Sequence, residues 1–160
     1  RRRSARKPRE RRDACGIPRG PRQALSELIG FLPHGPSFRF VADLQERLPG
    51  ERIVALATFA PAPLNPDWPW IPEGLILEAL TQVSGLVLVP ERSEPEVKRG
   101  GGFLAAVSQL RFLRPLEPKE RLILKSRLDL RLGSAARFRV EACVEADVLA
   151  EGILTLGGIF

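Results

Sequence analysis

One apolar segment constrains the fold of this chain more than any other feature. It runs from Gly74 to Val89 and ends at Pro90. Its apolar residues fall on nearly every side of the helix that their spacing predicts, so the helix has to be enclosed by other elements. The preceding stretch, residues 60–72, contains five prolines, which remove backbone donors and fix φ. The sequence therefore predicts a long rigid loop that leads into a buried central helix.

Most of the remaining sequence alternates apolar and polar residues. A period of two is typical of a strand with one buried face and one face in water. The alternation is clearest in residues 121–132 and 138–146, which are separated by a turn at Gly133-Ser134. Residues 149–159 supply a last apolar strand. These segments predict long antiparallel strands.

The first part of the domain combines a helix with a hairpin. Leucine and isoleucine at helical spacing predict a short amphipathic helix over residues 22–32. Two strand-like runs, 37–42 and 53–59, lie on either side of Pro49-Gly50 and predict a hairpin. One central helix, many antiparallel strands and no βαβ alternation predict an α+β domain, in which a curved antiparallel sheet wraps around the helix.

Positive charge is concentrated at the start of the chain. Residues 1–22 carry ten basic and two acidic side chains, and the remaining residues carry 15 basic and 17 acidic ones. Residues 1–21 lack the aliphatic side chains that would offset the entropy of ordering, so we expect a basic, disordered arm followed by a single domain over 22–160. The arm is either a polyanion-binding or targeting segment or simply a solvated tail. The nearly neutral domain gives no electrostatic reason to expect nucleic-acid binding.

Metal, redox and membrane chemistry find no support in the sequence. The two cysteines, Cys15 and Cys143, have no metal-ligand or redox spacing, and we expect both to be reduced. No apolar run reaches the roughly 18 residues that a membrane-spanning helix needs. The basic start is not followed by the hydrophobic segment of a secretory signal. We therefore expect a cytoplasmic protein with no metal, no bound cofactor and no membrane association.

Several segments together resemble one known family. The resemblance is to the FabZ-type 3-hydroxyacyl-[acyl-carrier-protein] dehydratases, and it covers roughly residues 23–160. It implies the hotdog fold, in which a curved antiparallel sheet wraps around one long central helix. The block Leu-Ile-Leu-Glu-Ala-Leu-x-Gln in its proline-rich setting is the most specific part. The matching segments are Leu32–His34, Phe38–Asp43, Pro49–Ala55, Ile71–Gln82 and Arg111–Pro118.

The resemblance also implies an activity and its partners. The family dehydrates a 3-hydroxyacyl chain held as a thioester on the phosphopantetheine arm of acyl carrier protein, in fatty-acid or related biosynthesis. Its members usually pair a His from the proline-rich loop with a Glu on the central helix, across a dimer interface. By this resemblance Glu78 matches the helix carboxylate, whereas the His position is occupied by Leu64. The implied partners are acyl carrier protein and a second copy of the chain.

The missing His changes the chemistry that can be expected. Elimination of water needs a base for the Cα proton and an acid for the departing hydroxyl, and an aliphatic Leu64 can be neither. Glu78 has apolar neighbours in sequence, and desolvation there favours the carboxyl form that holds a proton. We therefore predict Glu78 as the catalytic acid or acid/base. The alternative is a carboxylate that is merely paired at a dimer interface.

Other residues are weaker candidates. His34 is the only His in the chain and the obvious substitute base, although its match in the family looks structural. The backbone N–H at Gly74, where the buried helix begins, can polarise the thioester carbonyl. Leu64, Asn65 and Asp67 are candidates for contact with substrate, although Asn and Asp beside proline are commonly turn formers.

Three functions remain open at this point. The first is dehydration by Glu78, impaired by the loss of the loop His. The second is thioester hydrolysis, in which the helix carboxylate activates water. The third is a non-catalytic acyl-binding protein or partner subunit. In each case we expect at least a symmetric dimer, because a sheet wrapped around one helix leaves strand edges exposed.

Overall fold

The protein is described by a computed structural model over residues 28–60, 65, 67–90 and 102–158. The predicted arm, residues 1–21, lies outside these ranges, as does the larger part of the helix predicted over 22–32. The elements in chain order are a 3₁₀ helix (Pro36–Phe38), β1 (Val41–Leu48), β2 (Arg52–Ala57), α1 (Glu73–Val87), β3 (Phe103–Phe112), β4 (Leu122–Leu132), β5 (Ala135–Val144) and β6 (Asp147–Gly157).

The six strands form one antiparallel sheet, and α1 packs against it. The strand order is β1-β2-β4-β5-β6-β3, so β1 and β3 are the edges. β1 and β2 pair as the hairpin predicted around Pro49-Gly50, and Gly50 adopts the positive φ of 73° that its turn requires. The first strand begins at Val41, later than the predicted run 37–42, whose start belongs to the 3₁₀ helix. This architecture confirms the predicted α+β domain built on a single central helix.

Helix α1 is enclosed on most of its circumference, as its apolar sequence predicts. It begins one residue before the predicted start and ends two residues before the predicted end. Its main contacts are with β4 and β2 in the middle of the sheet. The buried face consists of Ile76, Ala79, Leu80, Gln82, Val83, Ser84, Leu86 and Val87.

The β1–β2 hairpin holds the C-terminal end of α1. Arg47 Nε donates to the carbonyl of Leu86 at 3.3 Å, and the same guanidinium also donates to the carbonyl of Val89. The N–H of Gly50 donates to the carbonyl of Val87 at 2.7 Å. Carbonyls at a helix end have no partner within the helix, so these donors satisfy them and fix the hairpin to the helix.

The apolar side chains of β4 are buried only along the part of the strand that the helix covers. Leu122, Leu124 and Ser126 are buried, whereas Leu130 and Leu132 are 41% and 68% exposed. An 11-residue strand spans about 36 Å, but a 15-residue helix spans only about 22 Å. The strand therefore extends past the helix.

Within the described ranges, no helix combines the length and apolar character needed to cross a membrane.

Candidate active site

Glu78 lies on the one face of α1 that the sheet leaves partly open. This stripe consists of Gly74, Glu78, Thr81 and Gly85, which follow each other at spacings of three and four residues, together with Leu77 beside Glu78. The Glu78 side chain is 25% exposed. A Cβ built at Gly74 or at Gly85 would meet no atom within 4 Å, so the space beside the stripe is open. The carboxylate is thus accessible from outside the fold.

Two side chains hold one oxygen of Glu78. His34 Nε2 lies 3.1 Å from Oε1, and Gln82 Nε2 donates to the same oxygen at 3.0 Å. Within the part of the chain that the structure describes, no hydrogen bond or ion pair involves Oε2. The carboxylate is therefore anchored through Oε1 and keeps Oε2 for a water molecule or a substrate.

The loop before β1 places His34 over the helix. Arg39 Nε donates to the backbone carbonyl of His34 at 2.8 Å. The imidazole packs on the ring of Phe38, with 5.9 Å between the ring centroids. The intervening Pro36–Phe38 forms the short 3₁₀ helix, which begins with a proline whose fixed φ suits that position.

Gln82 connects this loop to the helix. Its Nε2 donates to the carbonyl of Phe38 at 2.8 Å as well as to Glu78, and its Oε1 accepts the N–H of Phe40 at 2.9 Å. Gln82 is 2% exposed. A single buried amide thus satisfies two backbone groups of the loop and orients the carboxylate one turn before it.

The surroundings of His34 decide which ring nitrogen carries the proton. Its Nδ1 is buried and has no hydrogen-bond partner among the described residues. A buried N–H without an acceptor is rarer than a buried acceptor without a donor, so we assign the proton to Nε2. In this tautomer His34 donates to Glu78, and Glu78 is the acceptor of the pair.

The start of α1 offers a second polar feature on the same face. Pro72 is the N-cap residue, and no side chain caps this end of the helix. Gly74 is exposed, and it lies four residues before Glu78, or about 6 Å along the helix axis. Backbone N–H groups at the positive end of a helix attract a polarised oxygen. The arrangement can therefore hold a carbonyl near the helix start and a reacting carbon near the carboxylate.

The other sequence-predicted site residues lie in the proline-rich loop. Leu64 is outside the described residues. Asn65 Oδ1 accepts the N–H of Asp67 at 3.0 Å, and the Asn65 carbonyl accepts the N–H of Trp68 at 3.1 Å. Among the described residues, no hydrogen bond or ion pair links Asn65 or Asp67 to Glu78. In this structure Asn65 thus forms a turn and does not join the carboxylate.

A cavity of about 440 Å³, lined mainly by apolar residues but also by Glu73 and Arg114, opens beside the first turn of α1. Ile76 and Trp70 line it, together with Phe112 and Leu113 where β3 ends. Glu78 is not among its lining residues and faces a different side of the helix. The sequence predicted apolar surroundings for Glu78, whereas the structure gives its carboxylate two N–H donors and partial exposure to solvent.

Sequence reasoning missed the role of Gln82. In the sequence this residue is only the last position of the Leu-Ile-Leu-Glu-Ala-Leu-x-Gln block, which by itself predicts no site role for it. The signal that indicates a role is its position four residues after the helix carboxylate, because residues at this spacing lie on the same helix face. Its hydrogen bonds to Phe38 and Phe40 depend on tertiary packing, which the pattern does not contain.

A relative of known activity supports the sequence resemblance. No family model matches the chain. A 3-hydroxyacyl-[acyl-carrier-protein] dehydratase FabZ from Polynucleobacter asymbioticus is 30% identical over 140 residues, covering 82% of this chain and 89% of that protein.

Solved structures with little sequence identity share the architecture. The dehydratase heterocomplex ApeI:P from Xenorhabdus doucetiae matches with a TM-score of 0.67 at 16% identity, over 83% of this chain and 91% of that one. A hypothetical thioesterase protein with coenzyme A from Streptococcus pneumoniae TIGR4 matches with a TM-score of 0.60 at 15% identity, over 86% of this chain and 100% of that one. These likenesses confirm the hotdog fold.

Proposed function

The chain belongs to the FabZ family of 3-hydroxyacyl-[acyl-carrier-protein] dehydratases, and from that premise we propose that it removes water from 3-hydroxyacyl thioesters of acyl carrier protein, with Glu78 as acid and base. The observation that supports this most is the anchored carboxylate. Glu78 Oε1 accepts from His34 and Gln82, and Oε2 stays available on an accessible helix face.

The proposed reaction uses one carboxyl group for both proton transfers. The thioester carbonyl accepts the N–H of Gly74, which stabilises the negative charge that develops on its oxygen. Glu78 Oε2 takes the proton from Cα, and the electron pair left behind forms the double bond as the bond from Cβ to the hydroxyl breaks. The carboxyl group then gives the same proton to the departing hydroxyl, so the products are water and the 2-enoyl thioester. Glu78 returns to its starting form.

In this scheme His34 is a positioning residue. Its Nε2–H holds Glu78 Oε1 and so directs Oε2 toward the substrate. A His34→Gln variant keeps an N–H donor, whereas His34→Leu removes it at similar volume. We expect His34→Gln to keep substantially more kcat than His34→Leu, with KM little changed in both. Equal kcat losses in the two variants would contradict a role through the hydrogen bond.

The test of the activity is the identity of the product. Purified protein is incubated with a 3-hydroxyacyl and a saturated acyl thioester of acyl carrier protein, and enoyl product and released thiol are followed together. Dehydration predicts enoyl product from the first substrate and no thiol from either. The same reaction with coenzyme A thioesters establishes whether the carrier protein is required.

Hydrolysis is the second candidate, and one observation favours it. Activation of water needs a single carboxylate oxygen with space beside it, which Glu78 Oε2 provides without a second polar group at position 64. Release of thiol from the saturated thioester, lost in Glu78→Gln, would establish hydrolysis in place of dehydration.

A partner subunit without chemistry is the third candidate, and Leu64→His separates it from the first. Where the site lacks only the loop His, this substitution restores the family's usual pair, and we expect a gain in dehydration of about tenfold or more. An inactive wild-type chain that also stays inactive with Leu64→His would identify a non-catalytic subunit.

We further propose that the chain works as a dimer with itself or with a related subunit. The stripe around Glu78 is only half covered, and the edge strand β3 exposes Phe103 and Val107 at 63% and 42%. Apolar side chains on an exposed edge favour pairing with another sheet. A second chain that also covered the stripe would shield Glu78 from bulk water, which strengthens the electrostatic contacts of the site.

A further inference from the structure

A trough of about 830 Å³ crosses the outer face of the sheet, the face turned away from α1. Alternation along β4 identifies this face. Ser126 points toward α1, where its hydroxyl bonds to Ser84, so its neighbours Lys125 and Arg127 point the other way and line the trough. Seven charged side chains line it, five basic and two acidic: Arg52, Arg111, Lys125, Arg127, Arg139, Glu141 and Glu151.

Three of the arginines stand side by side across neighbouring strands. In the register of the sheet, Arg52 of β2 pairs with Arg127 of β4, and Arg127 pairs with Arg139 of β5. Directly opposed residues in antiparallel strands have Cα atoms about 4.5–5.5 Å apart, and like charges in such positions repel. This arginine row (Arg52, Arg127 and Arg139) is therefore unfavourable by itself.

Counter-charges reach the two ends of the arginine row but not its centre. Arg52 Nε lies 2.7 Å from Glu46 Oε1, and Arg139 Nε lies 3.2 Å from Asp129 Oδ1. Asp129 also pairs with Arg137 at 2.7 Å, so its charge is shared. Within the described part of the chain, the guanidinium of Arg127 has no ion-pair or hydrogen-bond partner.

The two acidic residues of the trough do not neutralise the row either. Glu141 is paired with Lys125 at 3.3 Å, and Glu151 is paired with Arg111 at 2.5 Å. Both acids thus have a basic partner of their own within the trough. The lining as a whole keeps an excess of positive charge with Arg127 at its centre.

We propose that the arginine row binds an anionic small molecule that carries two or more phosphate groups. Each guanidinium presents planar donors that match phosphate oxygens two at a time, and three of them in line extend over about 10 Å, the length of a short phosphate chain. The trough volume falls within the range of small-molecule sites, about 300–1,000 Å³. The sheet separates this site from the face that carries Glu78, so the inference does not depend on the proposed reaction.

The test is titration calorimetry of the full chain with inorganic tripolyphosphate. Arg127→Gln removes the centre of the row. Arg131→Gln is the matched control, because it removes one charge from the same strand at a position that pairs with Ala136, outside the trough. We expect Arg127→Gln to weaken binding about tenfold or more and Arg131→Gln less than twofold. Both variants keep the basic residues 1–22, so binding by that arm would leave the two affinities equal and would overturn the inference.

Two further measurements complete the test. Citrate, with its three carboxylates, should bind at least tenfold more weakly than tripolyphosphate, and equal affinity would refute a phosphate site. Without ligand, the Tm of Arg127→Gln should equal or exceed that of the wild type, because a repulsive charge is removed. A lower Tm would mean that Arg127 has a stabilising partner in the protein, and absence of tripolyphosphate binding to the wild type would also refute the proposal.

Discussion

Replacing Gln82 with Leu tests the hydrogen-bond network that builds the site. Leucine has nearly the volume of glutamine but no polar atoms, so the buried N–H of Phe40 and the partly buried carbonyl of Phe38 both lose their partner. Each unsatisfied buried group costs about 1–3 kcal/mol, and burial of the more apolar side chain returns about 1–2 kcal/mol. We therefore expect the free energy of unfolding to fall by about 1–4 kcal/mol, and Tm by roughly 3–15 °C.

Urea denaturation of the Gln82→Leu variant, followed by circular dichroism, measures this loss. Thr81→Val is the control at the neighbouring position, because the Thr81 hydroxyl only donates to the carbonyl of Leu77 in its own helix. The control should change the free energy of unfolding by less than about 0.5 kcal/mol. Equal stability of Gln82→Leu and the wild type would refute the claim that Gln82 joins the loop to the helix.

Three further predictions concern the core, the pH dependence and the assembly. Ser84 Oγ donates to a carbonyl of its own helix, so the Ser126 hydroxyl has to be the donor in the 2.8 Å bond between them. Ser84→Ala should therefore cost about 1–3 kcal/mol in urea denaturation and Ser126→Ala under about 1 kcal/mol, and the reverse order would contradict this direction. The guanidinium that is hydrogen-bonded to Glu120 lowers the pKa of this carboxyl group from its ordinary value of 4.5. The pairing therefore stabilises the fold above pH 4.5, and this stabilisation is lost as the pH falls through the lowered pKa. Tm should then fall less on acidification below about pH 4.5 in Glu120→Gln than in the wild type, and parallel Tm curves would disprove it. Val107→Lys on the exposed edge strand should convert a dimer into a monomer in light scattering, and a monomeric wild type at micromolar concentration would exclude the dimer.

Local sequence signals predicted the central helix and the strands β2, β4, β5 and β6 because each signal has a local physical cause, whereas β3 was not among the predicted strands. The apolar circumference of α1 requires enclosure, and Pro49-Gly50 supplies the turn of the first hairpin. The bulge in β3 was not predictable in this way. There Gln109 adopts a φ of 54°, and Leu110 approaches so closely that a Cβ at Gly152 would lie 2.7 Å from its Cα. The need for glycine at that position follows from the neighbouring strand.

The candidate site was predictable only in part, for a related reason. The resemblance indicated Glu78 as the helix carboxylate, and a helix start at Gly74 followed from the proline-rich segment. Contact between His34 and Glu78 depends on how the loop before β1 lies across the helix, and no periodic pattern encodes that placement. Gln82 fixes this placement from the buried side. Its importance therefore became visible only in three dimensions.

The most direct test of the account is the rate of enoyl formation by Glu78→Gln. The account predicts a loss of about 10²–10⁴-fold relative to the wild type, the usual range for removal of a general acid–base group. Glu141→Gln, the same change of a carboxylate to an amide on the outer face of the sheet, should keep the wild-type rate. A folded Glu78→Gln variant that forms enoyl thioester as fast as the wild type would contradict the central claim.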